Sequence, residues 1–196
     1  MAVVVLAAGF SGRMGKPKWS LPFDEKQTFI ERITQTYLQA GCGKVVLVLN
    51  REGVASVERR GLLKENRRVL PVLNPFPEKE RFFSVQTGLK ALQDHPAVFL
   101  QNVDNPFVTS DILFCLAGSF RAGAYVVPQY GSRNGHPILL SGKIAGDLVA
   151  SSNEKENLRR FLRKYPKIIC PVQNERILLN INTPEAYRRV FGKADF

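Results

Sequence analysis

Apolar segments of two kinds alternate along this chain, and the alternation restricts the fold more than any other feature. Continuous runs at Val3–Leu6, Val45–Leu49, Val69–Leu73 and Val98–Gln101 are too short for helices and read as strands buried on both faces. Helical patterns separate them. Thr28 to Ala40 puts Ile30, Ile33, Tyr37 and Leu38 on one face and stops at Gly41. A second helix is expected over about Val54 to Lys64. Ser84 to Leu92 aligns Val85, Leu89 and Leu92, with Ser84 a candidate cap, and Thr109 is placed to cap a helix reaching Phe120. Such alternation builds βαβ units and a mainly parallel sheet with helices on both faces. The rhythm changes after Gly123. Short strands at Ala124–Pro128 and Pro137–Leu140 flank a turn-rich loop, and helices follow at roughly Gly142–Ala150 and Lys155–Lys164. Strands are then expected at Ile168–Val172 and Ile177–Ile181, and a last helix from Thr183. The expected architecture is a three-layer α/β/α fold whose C-terminal portion is antiparallel. No repeat or linker splits it, so residues 1–196 are read as one domain.

The first strand empties into Ala8-Gly9-Phe10-Ser11-Gly12-Arg13-Met14-Gly15-Lys16-Pro17-Lys18. Glycines expose backbone amides there, and Arg13 and Lys18 add fixed cations, so the loop suits a polyphosphate. It also lies at a strand's carboxyl end, where open α/β sheets bind ligands. Two familiar glycine motifs do not fit. A P-loop requires Gly-Lys followed by Ser or Thr, whereas Met14 stands at the second glycine position and Pro17 follows Lys16. The dinucleotide fingerprint needs Gly-x-Gly-x-x-Gly opening a helix, and Gly9, Gly12 and Gly15 have another spacing. The rival reading is a plain tight turn after an edge strand.

The formal charge of +11 favours anionic partners, through steering and local concentration, without selecting one. The basic residues are scattered pairs such as Arg67-Arg68 and Arg159-Arg160 rather than a tail, and nothing resembles a nucleic-acid recognition module. No apolar run approaches the roughly 18 residues that cross a bilayer. The N-terminus lacks a basic leader and a cleavage site, so a cytoplasmic location without membrane attachment is expected. Cys42, Cys115 and Cys170 are far apart, odd in number and in no metal-ligand spacing, so free, buried or half-buried thiols are expected.

Five segments, in order, carry a resemblance that spans nearly the whole chain. They are Leu6-Ala7-Ala8-Gly9-Phe10-Ser11-Gly12-Arg13-Met14-Gly15-Lys16-Pro17-Lys18; Leu21-Pro22-Phe23 with Phe29-Ile30-Glu31; Ser84-Val85-Gln86-Thr87-Gly88-Leu89; Asp104-Asn105-Pro106-Phe107; and Asn134-Gly135-His136-Pro137 with Asn180-Ile181-Asn182-Thr183-Pro184-Glu185. Together they resemble the MobA-like nucleotidyltransferases, the molybdenum cofactor cytidylyl- and guanylyltransferases. Ala8, Ser84 and Gly135-His136-Pro137 are similar to the cytidylyl branch, whereas Asn180-x-Asn182-Thr-Pro-Glu is similar to the guanylyl branch. Cytidylyl relatives tend to carry Asp where this chain has Asn182. They usually have glycine and small residues where it has Glu80-Arg81-Phe82-Phe83, and the bulky phenylalanines would reshape the acceptor side.

The resemblance implies a Rossmann-like nucleotidyltransferase fold. It also implies transfer of CMP or GMP from CTP or GTP to a phosphorylated small-molecule acceptor such as molybdopterin, with release of pyrophosphate and transient contact with molybdoenzymes. An acceptor phosphate is already a nucleophile. The work lies in bringing anions together and stabilising the leaving pyrophosphate. Arg13, Lys18 and Asp104 are the expected catalytic residues. Leu6, Ala7, Ala8, Gly9, Ser11, Gly12, Arg13, Met14, Gly15, Lys18 and Ser84 are expected at the nucleotide. Asp104 is the expected ligand of Mg2+, which keeps several waters and bridges substrate oxygens. His136, Asn180 and Asn182 are candidates for the acceptor. Each has a structural rival: Asp104 as a turn residue, Asn180 and Asn182 as caps, His136 as a packed loop residue, Trp19 as core or rim. Two other functions fit the same loop. One is the same reaction on a sugar or polyol phosphate, and the other is a nucleotide binder that has lost turnover.

Overall fold

The computed structural model describes residues 1–59, 66–92, 95–152 and 156–192. Among them are eight strands: β1 (Ala2–Leu6), β2 (Lys44–Leu49), β3 (Val69–Leu73), β4 (Ala97–Asn102), β5 (Tyr125–Tyr130), β6 (Arg133–Asn134), β7 (Ile138–Ser141) and β8 (Lys167–Pro171). All join one sheet in the order β3-β2-β1-β4-β7-β5-β6, with β8 beside β5. The run β3-β2-β1-β4 is parallel, as is the β5–β8 pair. Strand β7 is antiparallel to both β4 and β5. The sheet is therefore mixed, mostly parallel in its N-terminal half, as the change of rhythm after Gly123 predicts.

The helices are α1 (Phe29–Gln39), α2 (Arg51–Arg59), α3 (Glu80–Lys90), α4 (Ser110–Gly118), α5 (Gly142–Ala150), α6 (Leu158–Leu162) and α7 (Pro184–Phe191). Alternate side chains of β1 explain the three layers. Val3 and Val5 enter one cluster with Ile33 of α1, Leu113 of α4 and Tyr187 of α7. Val4 enters the opposite cluster with Val85 of α3, Ile144 of α5 and Phe161 of α6. Each fully buried aliphatic side chain stabilises this arrangement by about 1.5–3 kcal/mol. Helix α1 starts at a capping box, in which the Thr28 amide donates to Glu31 Oε2 at 2.7 Å. Helix α3 lies hard against the sheet at Gly88, where a Cβ would collide with Val4 and come within 2.7 Å of Val48.

Several boundaries differ from expectation for identifiable reasons. Helix α3 begins at Glu80, so Ser84 lies inside it and does not cap it. Asn157 caps α6 by accepting from the Arg160 amide at 2.9 Å, which shortens that helix to Leu158–Leu162; Lys155 and residues 60–64 of the expected second helix lie outside the described residues. Ile177–Ile181 is not a strand. Glu175–Leu178 is a 3-10 turn, and the apolar pattern reflects burial of Ile177 and Ile181, with Leu178 and Leu179 packed partly buried against the same cluster. The cysteine reading is also corrected. Cys115 of α4 and Cys170 of β8 form a disulfide across 55 residues, because α4 packs over β5 and β8 lies beside β5. Cys42 is free and buried, and burial pushes its thiol up to about 11. No helix among the described residues is long and apolar enough to cross a membrane.

Candidate active site

The glycine loop is held at the end of β1 by backbone bonds to both neighbouring strands. The Ala7 amide donates to Val48 O at 2.9 Å, and the Val103 amide donates to Leu6 O at 3.2 Å. Ser11 then turns the chain with a φ of 51°, and Gly15 with a φ of 73°. The left-handed region is natural for glycine and uncommon for serine. Between them Gly12–Met14 forms a 3-10 turn whose Met14 amide donates to Ser11 O at 2.8 Å. The Met14 side chain is buried and anchors the loop from below, so this predicted nucleotide residue contributes packing. A Cβ at Gly9 or Gly12 would meet no protein atom within 4 Å, so neither glycine is required by packing. Lys18 is fixed from both sides. Its amide donates to Ser11 Oγ at 3.1 Å, and the next residue, Trp19, is buried.

A cleft opens beyond the loop. Of the predicted nucleotide residues, Leu6, Ala7, Ala8, Gly9, Ser11, Lys18 and Ser84 line it, together with Asp104. Gly12, Arg13 and Gly15 are exposed on the turn outside that lining. Ser84 accepts from Asn74 Nδ2 at 2.9 Å, and Asn74 is itself buried. At the centre, Lys18 Nζ donates to Asn182 Oδ1 at 2.5 Å and lies 3.7 Å from Asp104 Oδ2. Residues 18, 104 and 182 therefore meet although they come from the beginning, the middle and the end of the chain. Burial pushes the Asp104 carboxyl up, and the charges of Lys18 and then Arg81 pull it back. Its Oδ1 is buried and has no hydrogen-bond partner.

That orphaned oxygen is the test for a metal. An unpartnered oxygen on a carboxylate that lines the cleft fits Mg2+ held by one protein ligand, waters and substrate oxygens. Among the described residues no cluster of three or more His, Cys, Asp or Glu side chains exists, which excludes an all-protein cage there. Asn182 does not supply a second carboxylate.

His136 precedes β7, and its amide donates to Ile177 O at 3.1 Å. Burial first, and the charge of Arg81 second, lower its imidazole to about 4, so it is neutral at ordinary pH. Its Nδ1 is buried without a partner. Asn180 is exposed on the connection to α7. Reasoning from sequence missed two residues. Arg81 lines the cleft one helical turn before Ser84, on the same face of α3, and the i, i+3 spacing was the available signal. Asn105 is fully buried and donates through Nδ2 to the carbonyls of Arg176, Ile177 and Leu179 at 3.2, 3.1 and 2.7 Å. No sequence signal announces that contact.

A loop of exposed amides, a fixed lysine and a half-buried carboxylate at the ends of parallel strands define a nucleotide-handling α/β enzyme. The chain belongs to the MobA-like NTP transferase domain family, which it matches over residues 3–168. It is a nucleotidyltransferase of that family. It is 29% identical to molybdenum cofactor cytidylyltransferase of Escherichia coli (strain K12) over 94% of this chain and 92% of that one. It is 28% identical to nicotine blue oxidoreductase of Paenarthrobacter nicotinovorans over 85% of this chain and 83% of that one. Rv0371c from Mycobacterium tuberculosis H37Rv superposes with a TM-score of 0.79 at 25% identity, covering 99% of both chains. A second structure of Rv0371c, in complex with manganese, superposes with a TM-score of 0.75 at 22% identity, covering 98% of this chain and 97% of that one.

Proposed function

We propose that the protein transfers CMP or GMP from CTP or GTP to the phosphate of molybdopterin, releasing pyrophosphate. The observation that carries this reading is the meeting of Lys18, Asp104 and Asn182 beside the glycine loop. The reaction forms a bond from an acceptor phosphate oxygen to the α-phosphorus. The bond from that phosphorus to the α–β bridging oxygen breaks, and its electron pair leaves with pyrophosphate. No proton must be removed from the nucleophile, which suits a site whose imidazole is neutral and carries no catalytic charge. Amides of Gly9–Gly15 and the Lys18 ammonium bind the leaving phosphates and take up the charge that builds there. Arg13 reaches the same group from the exposed turn. Ala7, Ala8 and Ser84 border the nucleoside. Asp104 Oδ1 would hold Mg2+, which when bound neutralises charge on the phosphate oxygens. Similarity to the Escherichia coli cytidylyltransferase supports the acceptor class, and that acceptor implies hand-over of the product to molybdoenzymes.

The test is pyrophosphate release with each of CTP, GTP, UTP and ATP, in magnesium, against molybdopterin, a sugar phosphate and a polyol phosphate. Release with molybdopterin and CTP or GTP is the expected result. Release with the sugar or polyol phosphate alone moves the acceptor to that class. Binding of triphosphate without release from any acceptor rejects the transfer reading.

A further inference from the structure

The geometry points to Arg81, which lines the cleft with Lys18 and Asp104, as the ligand of the acceptor's phosphate; this rests on the transfer reading above. The order of the sheet supplies the first reason. At its carboxyl edge β1, β4 and β7 are neighbours, and the start of β7 lies at the end of β4, where Leu100 pairs with Ile138. The glycine loop follows β1, Asp104 follows β4, and His136 stands just ahead of β7. Asp104 thus sits between the loop and His136. In-line displacement places the leaving and entering oxygens on opposite sides of the reacting phosphorus. With pyrophosphate on the loop and Lys18, the acceptor approaches from the His136 side.

Charge supplies the second reason. The charged side chains that line the cleft are Lys18, Arg81 and Asp104. Lys18 is engaged with Asp104 and Asn182, and its charge and that of Asp104 offset one another. A phosphate monoester brings about −1.5 to −2 at neutral pH. Neutral His136 cannot balance it. Arg81 remains. It stands on the first turn of α3 and lines the same cleft as Lys18 and Asp104, and its charge is felt both at Asp104 and at His136. Arg81 keeps more than a third of its surface in solvent, so an anion entering the cleft can reach it. A planar guanidinium also meets phosphate in a bidentate fashion, which the Lys18 ammonium does not.

The experiment is calorimetry on the whole chain. The non-reacting donor is the magnesium complex of α,β-methylene-CTP or α,β-methylene-GTP, and the acceptor probe is glycerol 3-phosphate. In the donor-loaded protein, Arg81→Gln raises the Kd of the probe roughly tenfold or more, the loss of a charge-assisted hydrogen bond. Arg81→Lys raises it less, and the donor Kd moves less than about threefold in both variants. A weakened donor with an unchanged probe would assign Arg81 to the triphosphate and overturn the inference. So would unchanged affinity for both, or a donor-loaded wild type that gives no heat with the probe. Failure of the wild type to bind the donor at all overturns the transfer reading itself, an outcome distinct from the others.

Discussion

Lys18 governs the electrostatics of the cleft, because its ammonium touches both Asp104 and Asn182. Lys18→Ala is expected to lower kcat/KM by about 10²–10³, the usual effect of losing one preorganised charge at a developing anion. Arg13→Ala is expected to cost less, since Arg13 is exposed on the turn; equal losses in steady-state assays would place Arg13 at the phosphates as firmly as Lys18. Asp104→Asn is expected to abolish the magnesium dependence of pyrophosphate release, and undiminished turnover at matched magnesium would remove Asp104 from the metal site. His136 makes a prediction about pH. Its folded value of about 4 lies below the ordinary value near 6.5. Between those values the unfolded chain binds the extra proton, so this histidine withdraws stability as pH falls from about 6.5 towards 4. The full contribution is about 3 kcal/mol at most. Asp104, pushed upward by burial, works in the opposite sense at the acid end. His136→Gln should therefore lose less melting temperature than wild type between pH 7 and pH 5. Parallel losses would show the imidazole to be solvated.

The connection from Asn174 to Asn182 owes its position to one side chain rather than to a ladder. Asn105 donates to three carbonyls of that connection, while the Ile181 amide donates to Asp104 O at 2.8 Å. Behind Asn105, Gln101 Nε2 donates to Asn105 O at 2.8 Å, and Tyr37 OH donates to Gln101 Oε1 at 3.1 Å. The same connection receives the His136 amide at Ile177 O. Asp104, Asn182 and His136 are thus held at fixed separations by a buried polar network. Asn105→Ala would strand buried acceptors, at a cost of at least ~1–3 kcal/mol in urea unfolding. It should also lower kcat more than it alters the donor Kd, because Asn182 and His136 lose their register against Asp104. A destabilised variant with wild-type kcat would reduce the network to a structural role. The missed element belongs here. Ile177–Ile181 has a strand's apolar pattern, but its carbonyls find a side chain before they find another strand. Helices with their own caps were legible. Thr109 caps where the sequence places it, Thr28 stands as the cap just ahead of α1, and the Thr183 hydroxyl accepts from the Ala186 amide at 3.3 Å.

At the scale of the molecule, a chain of net charge +11 gathers its candidate site on one edge of a single sheet. A nucleotide that binds only the folded state at about a hundred times its Kd adds ~2.7 kcal/mol, or roughly 5–10 °C in a domain of this size. CTP or GTP with magnesium should therefore raise the melting temperature by more than UTP or ATP does. An equal shift from all four would place base selection outside the ground-state complex. The alternation of buried runs and amphipathic helices by itself determined the layered α/β fold, because burial on both faces of a parallel strand leaves a signature within a few residues. The loop from Ala8 to Lys18 was likewise legible as a candidate ligand loop, since glycine spacing and local charge are contiguous properties. Only the tertiary structure decided that Lys18 meets Asn182, that Arg81 lines the same cleft as Asp104, that Cys115 pairs with Cys170, and that Met14 is buried as an anchor. Each of those depends on which strands become neighbours, and pairing across the sheet joins residues that no local pattern connects.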